Sequence, residues 1–129
     1  EWCHKNKVVY FAYMVLEQGA LTGHYNKNNH FPFFSSRNLN FGKSKFIKIT
    51  PLLELMKDLG VKYNVDSSQI PIMWAIQKGV VPIVGLTKPK YVERLAESVT
   101  KELNLSDVAK LDKVALDTNV QIKCSWEAK

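Results

Sequence analysis

The chain reads as an α/β protein assembled from parallel β/α units, and three observations carry that reading. Two short runs, "VVYFAY" at 8–13 and "VVPIVG" at 80–85, are β-branched or aromatic with almost no polar alternation, the pattern of strands covered on both faces of a parallel sheet. Each run ends in a glycine-bearing turn, which carries "GALTG" after the first and "GLTKP" after the second. Stretches of helical spacing lie between and after them, so strands alternate with helices. Two such units cannot close a barrel, and a two-stranded parallel sheet leaves both edges open. The expectation is one incomplete domain over residues 1–129, with two parallel strands and about four helices, belonging to a larger sheet.

The elements follow in order. "EWCHKNK" reads as a helix tail leading into the first strand, and an opening on Glu1 rather than Met suggests a chain joined in its middle. Residues 24–46 are rich in Asn, Ser, Pro, Gly and Lys without a period, which predicts a long loop of the kind that often serves function. From about Thr50, Leu52, Leu53, Leu55, Met56 and Leu59 recur at helical spacing, with Pro51 suited to the first turn and Gly60 near the stop. "VDSSQIPIMWAIQKG" predicts a second helix. Asp66 with Gln69 resembles a capping box, but a start at Ser68 seats Pro71 in the first turn, and Gly79 ends the helix. Met73, Trp74 and Ile76 belong to its core face. After the second strand, Thr87 is the expected N-cap of a helix with Pro89 in its first turn. Ser106 is the expected cap of the last helix, in which Val108, Leu111, Val114 and Ala115 form one apolar stripe. "NVQIKCSWEAK" reads as an irregular tail.

With 129 residues, 46% hydrophobic and 23% charged, the chain has the composition of one folded soluble domain. No apolar run approaches the roughly 20 residues that cross a bilayer, and the run after "EWCHKNK" is too short for a signal peptide. A cytoplasmic protein with no membrane partner is the expectation. Cys3 and Cys124 lie at opposite ends, with no CxxC pair and no histidine at metal-ligand spacing, so two unpaired thiols and no metal site are expected. The net charge of +6 is unevenly placed. No Asp or Glu occurs between Glu17 and Glu54, while Lys27, Arg37, Lys43, Lys45 and Lys48 all do. Such a stretch attracts anions, whether phosphates of a small ligand or of a nucleic acid.

In parallel β/α folds, ligands sit at the carboxyl ends of strands, where loops and helix N-termini converge. "GLTKP" combines a glycine for close backbone approach, a hydroxyl and a lysine at a helix start, whose free N–H groups and dipole suit phosphate. "GALTG" supplies a similar flexible turn. With the acid-free loop, the two turns predict a shared anion site.

These residues also carry a resemblance. "FAYMVLEQGALTGHY" is similar to the seventh-strand segment of aldo-keto reductases, where a pattern near "YSPLxxGxLTGKY" recurs. "VVPIVGLTKPKYVERLAES" resembles the eighth-strand segment, of the "PIPGATKPEHLEEN" type, and "YNVDSSQIPIMWAIQKGVVPIVG" fits the "TPAQVALAWLLxxG" helix that leads into it. "LNLSDVAKLDKV" and the closing "SWE" fit the ends of such chains. The resemblance spans nearly the whole chain and implies the C-terminal portion of a (β/α)8 TIM barrel: its seventh and eighth β/α units, C-terminal helix and tail.

It further implies an NADP(H) site. Tyr13 would stack on the nicotinamide, and Leu16, Glu17 and Gln18 would line the pyrophosphate. His24 stands at a basic position after the turn, and Ser35 and Arg37 of "FSSR" match a phosphate contact in the long loop. Gly85, Thr87 and Lys88 fall where the family holds the adenosine 2′-phosphate, and Tyr91 lies at the next contact position. The chain departs from the pattern at Arg94 and Leu95, which replace a frequent Glu-Asn pair that contacts adenine. Leu95 has no hydrogen-bonding group, whereas Arg94 can stack or reach a phosphate. Met14-Val15 stands for the usual Ser-Pro, and His24 for a lysine.

The family's proton-donating Tyr and its Asp, Lys and His companions come from the first half of the barrel, and nothing here matches them. Tyr10, Tyr13, Tyr25, Tyr63 and Tyr91 are not in that context, so no catalytic residue is assigned and the chain alone is expected to be inactive. The whole protein would reduce aldehydes or ketones, small carbonyl substrates, by hydride transfer. Two other readings stay open. One is a cofactor-binding regulatory subunit of the same fold, as some members are for ion channels. The other is a basic nucleic-acid module, with Phe31, Phe33, Phe34, Phe41 and Phe46 interleaved among the cations. Self-association through open strand edges, or completion by an N-terminal half, is expected of an incomplete barrel. Trp126 falls where family C-terminal loops close over the substrate mouth.

Overall fold

The structure is a computed structural model and describes residues 2–122. In chain order it contains α1 (Trp2–Lys5), β1 (Phe11–Ala12), a 3₁₀ segment (Glu17–Thr22), α2 (Arg37–Asn40), α3 (Lys43–Tyr63), α4 (Gln69–Gln77), β2 (Val81–Pro82), α5 (Pro89–Ser98) and α6 (Leu105–Asp117). The expectations for Cys124 and Trp126 lie outside the described residues.

The strands pair in parallel, Phe11 opposite Val81 and Ala12 opposite Pro82. The Val81 N–H donates to the Tyr10 carbonyl at 2.9 Å and the Ile83 N–H to that of Ala12 at 2.7 Å. In a parallel ladder alternate residues point their amides to opposite sides, so Pro82, which has no N–H, falls where β1 needs no donor. Both strands are shorter than their apolar runs, and the expected burial is not met. Val8, Val9, Tyr10 and Phe11 are exposed, as are Val81 and Ile83. The reason is geometric: α4 packs on β2, but among the described residues the sheet has no third strand to cover the outer edges.

The core lies among the helices. Leu55, Met56 and Leu59 of α3, Ile70 and Met73 of α4, Leu103, and Val108 and Leu111 of α6 form one cluster, with Trp74 and Val114 packed at its margin. Ala115, expected in the α6 stripe, is exposed. A second cluster joins Ala20 of the 3₁₀ segment to Phe31, Phe41, Phe46 and Ile49, with Val120 and Ile122 packed against it. Leu21 touches both clusters. Three of the five loop phenylalanines are thus core residues, while Phe33 and Phe34 are exposed.

Several boundaries move from their expected places. The long loop contains α2, and α3 begins at Lys43, not near Thr50. Pro51 therefore sits inside the helix. Burial of Phe46 and Ile49 at 0% and 4% exposure draws the first turns of α3 into the second cluster, and this tertiary gain overrides the local proline signal. The helix ends not at Gly60 but at Asn64, whose left-handed φ of 51° closes a cap onto the carbonyls of Gly60 and Val61. Gly60 has a packing role instead. A Cβ there would lie 3.0 Å from the Val65 carbonyl oxygen and 3.3 Å from the Ser67 nitrogen, both backbone atoms.

Ahead of α4 the two expected start signals coexist. The Asp66 N–H donates to Gln69 Oε1 at 2.8 Å, as in a capping box, while Ser68 precedes the first helical residue. Neither Thr87 nor Ser106 serves as a cap: Lys88 and Asn104, both in extended conformation, occupy those positions. Among the described residues no helix is long and apolar enough to cross a membrane.

Candidate functional site

The turn that leaves β1 is strained in a local, definable way. Met14, Glu17 and Gln18 have φ of 58°, 45° and 56°, the left-handed region that side chains rarely adopt. Each such residue costs on the order of 1–3 kcal/mol and persists only where surrounding contacts impose it, commonly at ligand sites. Here the Glu17 N–H donates to the Met14 carbonyl at 2.7 Å and the Gly19 N–H to that of Leu16 at 2.8 Å. Burial pushes the Glu17 carboxyl above its usual range. Gly23, at φ 75°, closes the turn, and a Cβ on it would lie 2.9 Å from Ser67 Oγ. That hydroxyl donates back to the Thr22 carbonyl at 3.3 Å, which ties the turn to the loop entering α4.

The turn that leaves β2 is open. A Cβ on Gly85 would meet no atom within 4 Å, and the φ of this residue is not one that demands glycine. Among the described residues neither packing nor conformation accounts for it, whereas close approach of a ligand would. Lys88 precedes α5 in extended conformation, with Pro89 in the first helical turn and no side-chain cap on the helix start.

Between these turns lies a cleft of about 1150 Å³ at the carboxyl ends of both strands. From the first turn it is lined by Leu16, Gln18 and His24, and from the long loop by Arg37. From the second side come Gly85, Thr87 and Lys88, then Tyr91 and Arg94 of α5. Nine of the twelve residues expected at a cofactor site therefore meet in one place. Tyr13, Glu17 and Ser35 do not line it. Tyr13 stands at the end of β1, about half exposed. Ser35 acts one step back, its hydroxyl accepting the Arg37 N–H at 3.3 Å.

The second cleft wall, formed by Asp66, Ser67, Gln69 and Ile72 at the start of α4, escaped the sequence reading, as did Lys90. The Asp66–Gln69 capping pattern was legible as a helix start. That this start faces the ligand side of the sheet follows only from the folded topology.

The cleft is rich in basic side chains. His24, Arg37, Lys88, Lys90 and Arg94 line it, against a single acid, Asp66. The Arg37 guanidinium lies 5.5 Å from the Phe31 ring centroid, a cation–π contact that holds it on the second cluster. Arg94 Nη1 pairs with Asp66 Oδ2 at 2.9 Å. The imidazole of His24 rests edge-on against Tyr25 with ring centroids 4.8 Å apart. Such a donor set, with an unfilled glycine approach and a helix start, fits an extended polyanionic ligand such as a dinucleotide.

Comparison with known proteins places the chain. The model of the Aldo/keto reductase family matches residues 1–116. A Schizosaccharomyces pombe protein provisionally named aryl-alcohol dehydrogenase C750.01 is 29% identical over 115 residues, which are 86% of this chain and 34% of that protein. The NAD/NADP-dependent indole-3-acetaldehyde reductase of the same organism is 36% identical over 64 residues, 50% of this chain and 22% of that one. The NADPH-dependent alpha-keto amide reductase of Saccharomyces cerevisiae is 27% identical over 67 residues, 52% of this chain and 22% of that one. The chain thus spans about a third or less of these relatives' lengths. Among solved structures, the glycerol dehydrogenase AKR11B4 of Gluconobacter oxydans superposes with a TM-score of 0.77 at 20% identity, over 96% of this chain and 39% of that one. The fold is accordingly part of a (β/α)8 barrel, and the chain belongs to the aldo/keto reductase family, an oxidoreductase family.

Proposed function

We propose that the chain is the NADP(H)-binding portion of a cytoplasmic oxidoreductase that reduces aldehydes or ketones when whole, formed by the seventh and eighth β/α units and the C-terminal helix and tail of the barrel. The observation that carries this reading is the cation-rich cleft joining the two strand-end turns, with Gly85 leaving its approach clear. The names of the two reductases above, which specify nicotinamide cofactors and carbonyl-type substrates, support it.

In this reading Lys88 and Thr87 hold the adenosine 2′-phosphate, and Gly85 lets the backbone close on it. Arg37, oriented by Ser35, meets the cofactor phosphates, with His24 at the rim. Leu16, Glu17 and Gln18 present the strained turn to the pyrophosphate, Tyr13 supports the nicotinamide, and Tyr91 and Arg94 line the adenosine end. When bound, the cofactor supplies a hydride. The chain's own residues bind and orient it; no described residue is assigned the proton transfer, and the Asp, Tyr, Lys and His of the family's catalytic set are proposed to lie outside this chain. Completion by an N-terminal half, or self-association, would cover the exposed edges of β1 and β2.

Titration of the chain with NADPH and NADH, followed by tryptophan and tyrosine fluorescence, tests the reading. Saturable binding that favours NADPH and weakens with salt is expected. Lys88→Gln should weaken NADPH by about five- to tenfold, the effect of losing one partly exposed cation–phosphate contact. A folded chain that binds neither cofactor, or both equally with no effect at Lys88, would contradict it.

A further inference from the structure

We propose that Asp66 sets how strongly the cleft distinguishes a dinucleotide with a 2′-phosphate from one without, by holding Arg94. The inference rests on the cofactor reading above. Asp66 is the single acid among the lining residues, and Arg94 is the single lining cation in an ion pair among the described residues. The pair is therefore the one point where the cleft's positive character is offset.

The arrangement is built rather than incidental. The two Asp66 oxygens are divided between tasks. Oδ1 accepts the Ser68 N–H at 3.1 Å and the Ser68 hydroxyl at 2.6 Å, which fixes the carboxylate to the start of α4, and Oδ2 takes Arg94 Nη1 at 2.9 Å. The backbone of Arg94 is held from the same junction. Gln69, 1% exposed, donates from Nε2 to the Arg94 carbonyl at 2.9 Å and accepts the Asp66 N–H on Oε1 at 2.8 Å. Ser98 Oγ donates to the same Arg94 carbonyl at 2.9 Å. Side chain and main chain of Arg94 are thus positioned together from one junction, by Asp66 in the loop entering α4 and Gln69, the first residue of that helix.

The consequence is electrostatic. A guanidinium has five N–H donors, and one nitrogen is engaged by Asp66, so Arg94 retains donors for a second anion. Its charge, however, is largely cancelled at a distance by the carboxylate 2.9 Å away. A 2′-phosphate therefore gains from Arg94 only the attraction that Asp66 leaves uncancelled, whereas a neutral ribose 2′-hydroxyl loses little by the pairing. Asp66 thereby narrows the preference for the phosphorylated cofactor by offsetting the one cation it pairs. It is a positioning residue that acts through Arg94.

The test compares adenosine 2′,5′-bisphosphate with AMP, and NADPH with NADH, on the full chain, with calorimetric or fluorescence affinities and melting curves. Asp66→Asn keeps the shape and the acceptor for Ser68 but removes the charge. It should raise the ratio of bisphosphate to AMP affinity about three- to tenfold and steepen its salt dependence. Arg94→Gln should lower the ratio, and Asp66→Asn in that background should then raise it little. Should Asp66→Asn fold poorly, Asp66→Ser, which retains a capping oxygen, serves in its place. An unchanged ratio with only a shifted melting temperature would assign Asp66 a helix-capping role and overturn the proposal. A lowered ratio would overturn it in the other direction, making Asp66 the support that readies Arg94 for phosphate. Wild-type binding of both probes with either result sinks this inference alone, whereas a wild type that binds neither removes the cofactor reading as well.

Discussion

At the residue scale, the turn after β1 holds a carboxyl where solvent is scarce. Burial raises the Glu17 carboxyl above its usual range, so its protonated form is the one the fold favours. The stability linked to this group is fully present below its unfolded value and lost as pH rises through the raised folded value. Glu17→Gln is therefore expected to raise the melting temperature at neutral pH, with the advantage over wild type disappearing in acid. A pH series of thermal melts on both proteins checks it. Two glycines make sharper demands. Gly60→Ala sets a methyl 3.0 Å from the Val65 carbonyl oxygen, and backbone on both sides leaves no cheap relief. A loss of about 1–3 kcal/mol is expected, read from denaturant unfolding. Gly23→Ala combines φ 75° with a 2.9 Å approach to a serine hydroxyl, the movable end of a side chain, so the backbone conformation is the larger part of its cost.

At the scale of elements, the helices are locked by polar side chains placed between hydrophobic faces. Asp107 on α6 is 8% exposed and accepts Lys62 Nζ at 2.6 Å and the Tyr63 hydroxyl, while that hydroxyl accepts the Asn104 N–H at 2.8 Å. Lys62 first, and then Tyr63, hold the Asp107 carboxyl below its usual range. Lys78 and Trp74 do the same for Asp112 from α4, and Lys101 and Gln69 for Glu97. Depressed carboxylates contribute stability that is present above the unfolded value and lost as pH falls through the folded one. Acid should thus loosen the α3–α6 and α4–α6 contacts together. Asp107→Ala should cost about 1–3 kcal/mol at neutral pH, since it leaves the Tyr63 hydroxyl proton without its acceptor while the half-exposed Lys62 stays hydrated, and should flatten the acid limb of the stability profile.

Legibility in the sequence differed by element for physical reasons. The two strand runs, α4, α5 and α6 were visible because apolar spacing and proline position report local conformation directly. The start of α3 was not, because the interactions that extend it to Lys43 come from Phe46 and Ile49 packing on Phe31 and Phe41, partners distant from any local helix signal. The cap positions at Lys88 and Asn104 were missed for a related reason. Thr87 and Ser106 carry the favoured hydroxyls, but the backbone turns one residue later in the first case and two residues earlier in the second. Of the candidate site, the residues on the two glycine turns were readable from strand-end logic and from the family pattern. Asp66 and Gln69 were not, since their relation to Arg94 spans 28 and 25 positions of sequence and depends on α4 lying beside α5.

At the scale of the whole molecule, two facts meet: an apolar strand pair whose edges are open among the described residues, and a cleft built on the carboxyl ends of those same strands. The exposed Val8, Val9, Phe11, Val81 and Ile83 favour association of the chain in isolation, so sedimentation should show concentration-dependent oligomers, and Ile83→Lys should reduce them. NADP(H) is the ligand proposed for the cleft. Hydrogen exchange of the chain with and without saturating NADPH tests it most directly. Slower exchange confined to residues 14–24 and 85–95, with little change in α3 and α6, is the predicted result. Protection absent from both turns, or spread over the loop around Phe33 and Phe34 instead, would mean that the cleft is not the NADP(H) site.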